Sequence, residues 1–146
     1  MIKKLLLYFL LLSISCFGQF SKTHYIPPIS GSDNLSSVAE EQYLYISTPN
    51  DNPIKFNIVQ LGNTVVTGSV SKNEPYVFNI GFGINTQLHA SKSLVNTILK
   101  NKGFIIEAED SIYVSARVVA GFSNHAGELV SKGLAALGTQ FRIGAL

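Results

Sequence analysis

The chain has 146 residues, 46% of them hydrophobic and 14% charged, with a single cysteine and a formal charge of +2. The surplus charge is Lys3 and Lys4; over residues 19–146 nine Lys and Arg balance nine Asp and Glu, a poor composition for binding nucleic acid or an anionic membrane surface. Residues 19–146 suffice for one domain burying about two-thirds of its unfolded surface, and without a second cysteine its stability must come from the core.

Residues 1–18 read as a secretory signal peptide: a basic start at Lys3 and Lys4, an apolar run from Leu5 to Ile14, and a small-residue exit at Cys16-Phe17-Gly18 before Gln19. The apolar run is shorter than the ~20 residues that span a bilayer, so no stable membrane span is expected after cleavage. A lipid anchor on Cys16 is the rival reading, and Ser13 weighs against it because a branched apolar residue is wanted three places before such a cysteine. The expected location is secreted or on the outer cell surface, with the export machinery as a partner. A secreted domain without cysteines fits a bacterial exporter better than a eukaryotic one.

Residues 19–41 form an extended opening segment. Pro27-Pro28 opposes helix, SGSDNLSS is a loop composition, and Ser36 to Glu40 allows one helical turn. This segment is expected to lie over the sheet edges, leaving 42–146 as the folded domain.

Strand signals follow at short intervals. Gln42–Ser47, Ile54–Val59, Thr64–Val70 and Tyr76–Ile80 are rich in β-branched and aromatic residues and are separated by turns at Thr48–Pro53, Gly62-Asn63 and Lys72–Pro75. In Ile54–Val59, Ile54, Phe56 and Ile58 point one way and Lys55 and Asn57 the other. Turns every 8 to 12 residues predict an all-β fold with little or no helix, an antiparallel β-sandwich of jelly-roll or Ig-like type. For Gly81–Lys102 the expectation is a loop with a short strand.

Gly103–Ala120 is the centre of the pattern. Phe104, Ile106 and Ala108 share a face, as do Ile112, Val114, Ala116 and Val118, while Tyr113, Ser115 and Arg117 form a wet face. The charged break Glu109-Asp110-Ser111 divides two runs that are read as consecutive strands, paired as a hairpin with a three-residue loop at 109–111 or joined by an arc between two packed sheets. After the loop Gly121–Gly127 come Glu128–Leu137 and a last strand, Thr139–Leu146, that is still running when the chain stops, so the domain is expected to be truncated there.

No combination of residues amounts to a catalytic mechanism. His24, His89 and His125 lie in polar stretches without the spacing of a metal site and are expected to be solvated. Glu107, Glu109 and Asp110 are read as a solvated turn, Asp51-Asn52 and Asp33-Asn34 as turns, and Gly81-Phe82-Gly83 as a glycine pair with no following helix to cradle phosphate. Asn34-Leu35-Ser36 matches the glycosylation sequon. No catalytic, cofactor-binding or metal-ligating residue is assigned and no cofactor is expected. Tyr43, Tyr45 and Tyr76 are the candidate ligand-binding residues, because tyrosine joins apolar area to a polar tip, and half-buried packing is the competing reading.

Two runs carry a family resemblance. Lys102-Gly-Phe-Ile-Ile-Glu-Ala-Glu-Asp-Ser-Ile-Tyr-Val114 and Ser131-Lys-Gly-Leu-Ala-Ala-Leu-Gly-Thr-Gln-Phe-Arg142 resemble the IgGFc-binding-protein N-terminal-like domain, which shows a G-I-x-I-x-A-x-D-x-I-x-V strand pair and then an L-G-T-x-[FY] run. Tyr25-Ile-Pro-Pro-Ile29 and Gln42–Pro49 are similar to the amino-terminal parts of large surface proteins that gliding bacteria export by the type IX system. The resemblance implies an adhesin-like β-domain at the front of a longer polypeptide with repeats and a sorting domain, neither of which is in this sequence. The expected function is a non-enzymatic, exported cell-surface adhesion or interaction module that binds an extracellular protein or glycan. The alternative is a carbohydrate-binding accessory domain of an exported enzyme, and catalysis by the 107–110 carboxylates ranks last.

Overall fold

The computed structural model describes residues 19–31, 39–94, 96–120 and 125–136. The signal peptide, Asp33-Asn34, the sequon and Thr139–Leu146 lie outside them. The elements are β1 (Ser21–Ile26), β2 (Ile29–Gly31), β3 (Ala39–Ser47), β4 (Ile54–Gln60), β5 (Asn63–Val70), β6 (Tyr76–Phe82), β7 (His89–Ser91), β8 (Phe104–Ala120) and β9 (His125–Val130), with short 3-10 turns at Lys92–Leu94 and Gly133–Ala136. The fold is all-β, as expected: one seven-stranded antiparallel sheet curled into a sandwich-like body, plus a small parallel pair, β2 with β7.

Neither the hairpin expected at Gly103–Ala120 nor an arc between two separate strands forms. Phe104–Ala120 is one strand of 17 residues, and Glu109-Asp110-Ser111 are strand residues. Its two halves do not pair with each other; each has its own neighbours. The first half pairs with β1 and β4, the second with β3 and β9. The inward set Phe104, Ile106, Ile112, Val114 and Ala116 keeps a single parity through the break, so the alternation suits an unbroken strand as well as it suits a hairpin.

A straight 17-residue strand would run roughly 55 Å, longer than a compact domain of this size, so β8 must bend. The bend falls at 109–111. All three residues are exposed there although Asp110 has the inward parity, and the pairing of β1 slips, with Ser21 opposite Ile112 but Thr23 opposite Glu107. Ser131 donates its backbone N–H to the Val114 carbonyl, two residues from the partner of Ser21. Strands β9 and β1 therefore follow one another along one edge of β8, and β3 and β4 along the other.

Folding at the bend brings the inner faces together. Phe56 on β4 meets Tyr76 on β6 at 5.0 Å between ring centroids, and Phe78 on β6 meets Phe104 on β8 at 6.0 Å, although neither pair of strands is hydrogen-bonded. Leu44, Ile46, Ile58, Ile106, Ile112 and Val114 fill the space between and are wholly buried. The Phe56 ring also lies over Gly68, its cross-strand partner, where a side chain would collide with it.

Two further expectations need correcting. Residues 21–26 are a strand of the sheet rather than a cover over its edges, and they place Ile26 in the core. Ala39–Glu41, read as the end of a helical turn and its approach, extend β3. Between Gly81 and Lys102 the expected short strand forms at His89–Ser91, where β2 offers its edge.

Candidate functional site

The outer face of β3 and the second half of β8 collects several ligand-suited side chains. Tyr43 and Tyr45 stand two residues apart on β3 and so share a face; both are half-buried, with ring centroids 6.2 Å apart and planes tilted by 55°. The Tyr43 hydroxyl donates to Glu41 Oε2 at 3.1 Å, which pushes its pKa above the ordinary tyrosine value and keeps the phenol protonated.

Register adds the rest of the face. Tyr43 lies opposite Arg117, Tyr45 opposite Ser115, and Ser47 opposite Tyr113, which itself meets Phe20 at 6.2 Å. On the other side Tyr43 pairs with Asn79 and Tyr45 with Val77. The result is a shallow row of tyrosine rings bordered by a guanidinium, a carboxylate and an amide.

Tyr76 does not belong to this face. It is opposite Ile46, which is buried, and its ring packs on Phe56, so of the three candidate tyrosines the structure brings two together and turns the third inward. Tyr113 and Arg117 were legible as the wet side of their run. Their places opposite Ser47 and Tyr43 depend on a pairing across about 70 residues of chain, which the sequence pattern does not carry.

The carboxylates form a different surface. Glu107 and Glu109 point outward from β8 beside Lys55, Asn57 and Thr67, around a hollow of about 320 Å³. Asn57 pairs with both Glu107 and Thr67, and Thr67 donates to Asn57 Oδ1 at 2.8 Å. Both carboxylates come from one strand, and the residues facing them across the hollow are an amine, an amide and a hydroxyl. Acid–base work on a glycosidic bond needs carboxyls on opposite sides of the substrate, so this arrangement does not supply it. Asp110 has the other parity and faces Lys22 at 3.9 Å. Asp51-Asn52 is a turn, with the Asn52 N–H bonded to Asn50 Oδ1.

The histidine expectation is overturned at two positions. His89 is buried on β7. His24 is wholly buried on β1, where its Nε2 lies 3.1 Å from the Ser21 carbonyl and 2.9 Å from that of Ile112, and its Nδ1 is 3.0 Å from Ser131 Oγ. Two carbonyls can only accept, so Nε2 carries the hydrogen and Nδ1 accepts from the serine hydroxyl. Burial lowers the pKa of His24 against the opposing pull of the two carbonyls. Among the described residues no group of three or more His, Cys, Asp or Glu side chains is placed to hold a metal ion.

Comparison with family models, with curated proteins and with solved structures finds no match to this chain.

Proposed function

We propose that this chain is a non-enzymatic, exported interaction module, displayed on the cell surface or released, that forms the front of a larger secreted protein and binds an extracellular partner. The observation that carries the reading is the row Tyr43–Tyr45 with the exposed Arg117 in register beside it, amphipathic rings next to a cation on a hydrogen-bonded strand pair. The resemblance to the amino-terminal domains of type IX-exported surface proteins supports the same reading.

A glycan is the second reading of the partner. Tilted tyrosine rings offer apolar faces to the C–H side of a sugar, while Glu41, Asn79 and Arg117 border them with hydrogen-bonding groups. The test is binding of the purified protein to a glycan array and to a panel of extracellular matrix and cell-surface proteins, repeated with Tyr45→Ala and Arg117→Ala. A tenfold or greater loss in either variant, with the melting temperature retained, is the expected result. Unchanged binding in both variants overturns the assignment of the face, and hydrolase activity that disappears in Glu107→Gln overturns the non-enzymatic reading.

A further inference from the structure

The balanced charge of residues 19–146 conceals a separation. The connection from β6 to β8, residues 83–103, holds Lys92, Lys100 and Lys102 and not one Asp or Glu. Setting these three lysines aside leaves six basic residues against nine acidic ones in the rest of 19–146. The connection therefore carries a cationic surplus, and the acidic surplus lies elsewhere along 19–146.

That cationic connection also bears the most exposed large hydrophobic side chain among the described residues. Ile98 is 86% exposed, and Leu94 is 40% exposed on the same turn. The turn is closed by the Thr97 N–H bonding to the Leu94 carbonyl, with Asn96 in the left-handed region at φ 70°, which asparagine tolerates. Ile98 and Leu99 follow directly, so Lys92 and Lys100 flank an apolar tip. Beside it Pro27, Pro28, Leu94 and Leu99 line an open hollow of about 400 Å³.

The connection is held in place from beneath. Gln42, wholly buried on β3, donates to the Gly83 carbonyl at 2.7 Å and accepts from the Thr86 hydroxyl at 2.5 Å, while Lys102 Nζ reaches the Thr86 carbonyl at 2.6 Å. Lys102 is thus spent on the scaffold, and Lys92 and Lys100 remain exposed. The acidic pair Glu40-Glu41 lies on β3 at the start of the connection, where the Glu40 carbonyl accepts from the Gly83 N–H.

We propose that this tip, through Lys92, Leu94, Ile98, Leu99 and Lys100, docks on the surface of an anionic phospholipid bilayer. Aliphatic side chains at the centre enter the boundary between headgroups and acyl chains, and lysines at the margins stay at headgroup level against phosphate. A protein groove would bury the apolar tip but gives no reason for cations on both flanks. The inference is independent of the tyrosine face, which belongs to the outer side of β3 and β8.

The test uses the full chain with vesicles of phosphatidylcholine alone and of phosphatidylcholine with 30% phosphatidylglycerol, read by flotation and by hydrogen exchange. Exchange within 92–102 is expected to slow only with the anionic vesicles, and 0.5 M salt is expected to reverse it. Each lysine near such a surface is worth about a factor of five in partitioning, so Lys92→Glu/Lys100→Glu should lower the loop-dependent partition by twentyfold or more. Ile98→Asp should also release it, with an unchanged melting temperature because the side chain is exposed. Protection on neutral vesicles to the same degree, or flotation driven by residues 1–18 with no change in 92–102, overturns the proposal. So does loop protection that grows with protein concentration in the absence of lipid, which would assign the surface to a second copy of the chain.

Discussion

At His24 three segments far apart in the chain meet on one ring: Ser21 on the same strand, Ile112 at the bend of β8, and Ser131 after β9. Ser131→Ala removes the donor to a buried Nδ1 and is expected to cost about 1–3 kcal/mol, the penalty of an unsatisfied buried group. The folded chain holds the imidazole neutral, whereas in the unfolded chain it takes up a proton near pH 6.5. Stability from this ring is therefore complete above that pH and declines as pH falls from 6.5 toward the lowered folded value. Urea titrations between pH 7.5 and 5 should show this decline in the wild type and a flatter dependence in His24→Gln. Parallel curves would count against the buried neutral histidine. Gly133 closes the same corner at φ 54°, with Ser21 against the position a Cβ would take and Thr23 O 3.0 Å from it. Gly133→Ala should destabilise by about 1–3 kcal/mol through strain and collision together.

Among the elements, β8 joins every part of the sheet except β5 and β6, which reach it through β4 and β3. Ile106 and Val114 lie on either side of the bend and are both wholly buried. An aspartate at either place costs several kcal/mol against a total stability of roughly 5–15, so Ile106→Asp and Val114→Asp should each abolish cooperative unfolding at 25 °C. A second experiment separates the single strand from the hairpin. One glycine inserted after Asp110 would only lengthen a hairpin loop, but in a continuous strand it turns Val114 and Ala116 outward. Loss of the folded circular-dichroism signal is the expected outcome, and a melting temperature within a few degrees of wild type would argue for the loop.

For the whole molecule, the shared strand couples the two halves of the sandwich. Neither half has an inner face covered by its own strands; Phe56 needs Tyr76, and Phe78 needs Phe104. Unfolding should be a single transition, with tyrosine fluorescence and far-ultraviolet circular dichroism giving the same urea midpoint. Separate midpoints would mean that the halves fold independently. Tyr43→Ala and Tyr45→Ala remove half-buried side chains from the outside of this body and should lower stability by no more than about 1 kcal/mol, which leaves them usable for binding tests.

Sequence alone determined the fold class, the boundaries of β4, β5 and β6 to within a residue or two, and the inward set of β8, because strand side chains alternate and a buried face must be apolar wherever it lies. Tyr113 and Arg117 were legible as outward for the same reason, whereas Ser115, expected on the same wet face, is buried. Tertiary structure decided what alternation leaves open. Parity is the same for a hairpin and for a bent strand, so only the partners along both edges of Phe104–Ala120 distinguish them. A histidine between polar neighbours looks solvated until two distant groups, Ile112 and Ser131, converge on it, and three tyrosines of similar setting separate into two that face outward and one that packs inward. Each of these depends on contacts between residues tens of positions apart, whose energies leave no mark on local composition.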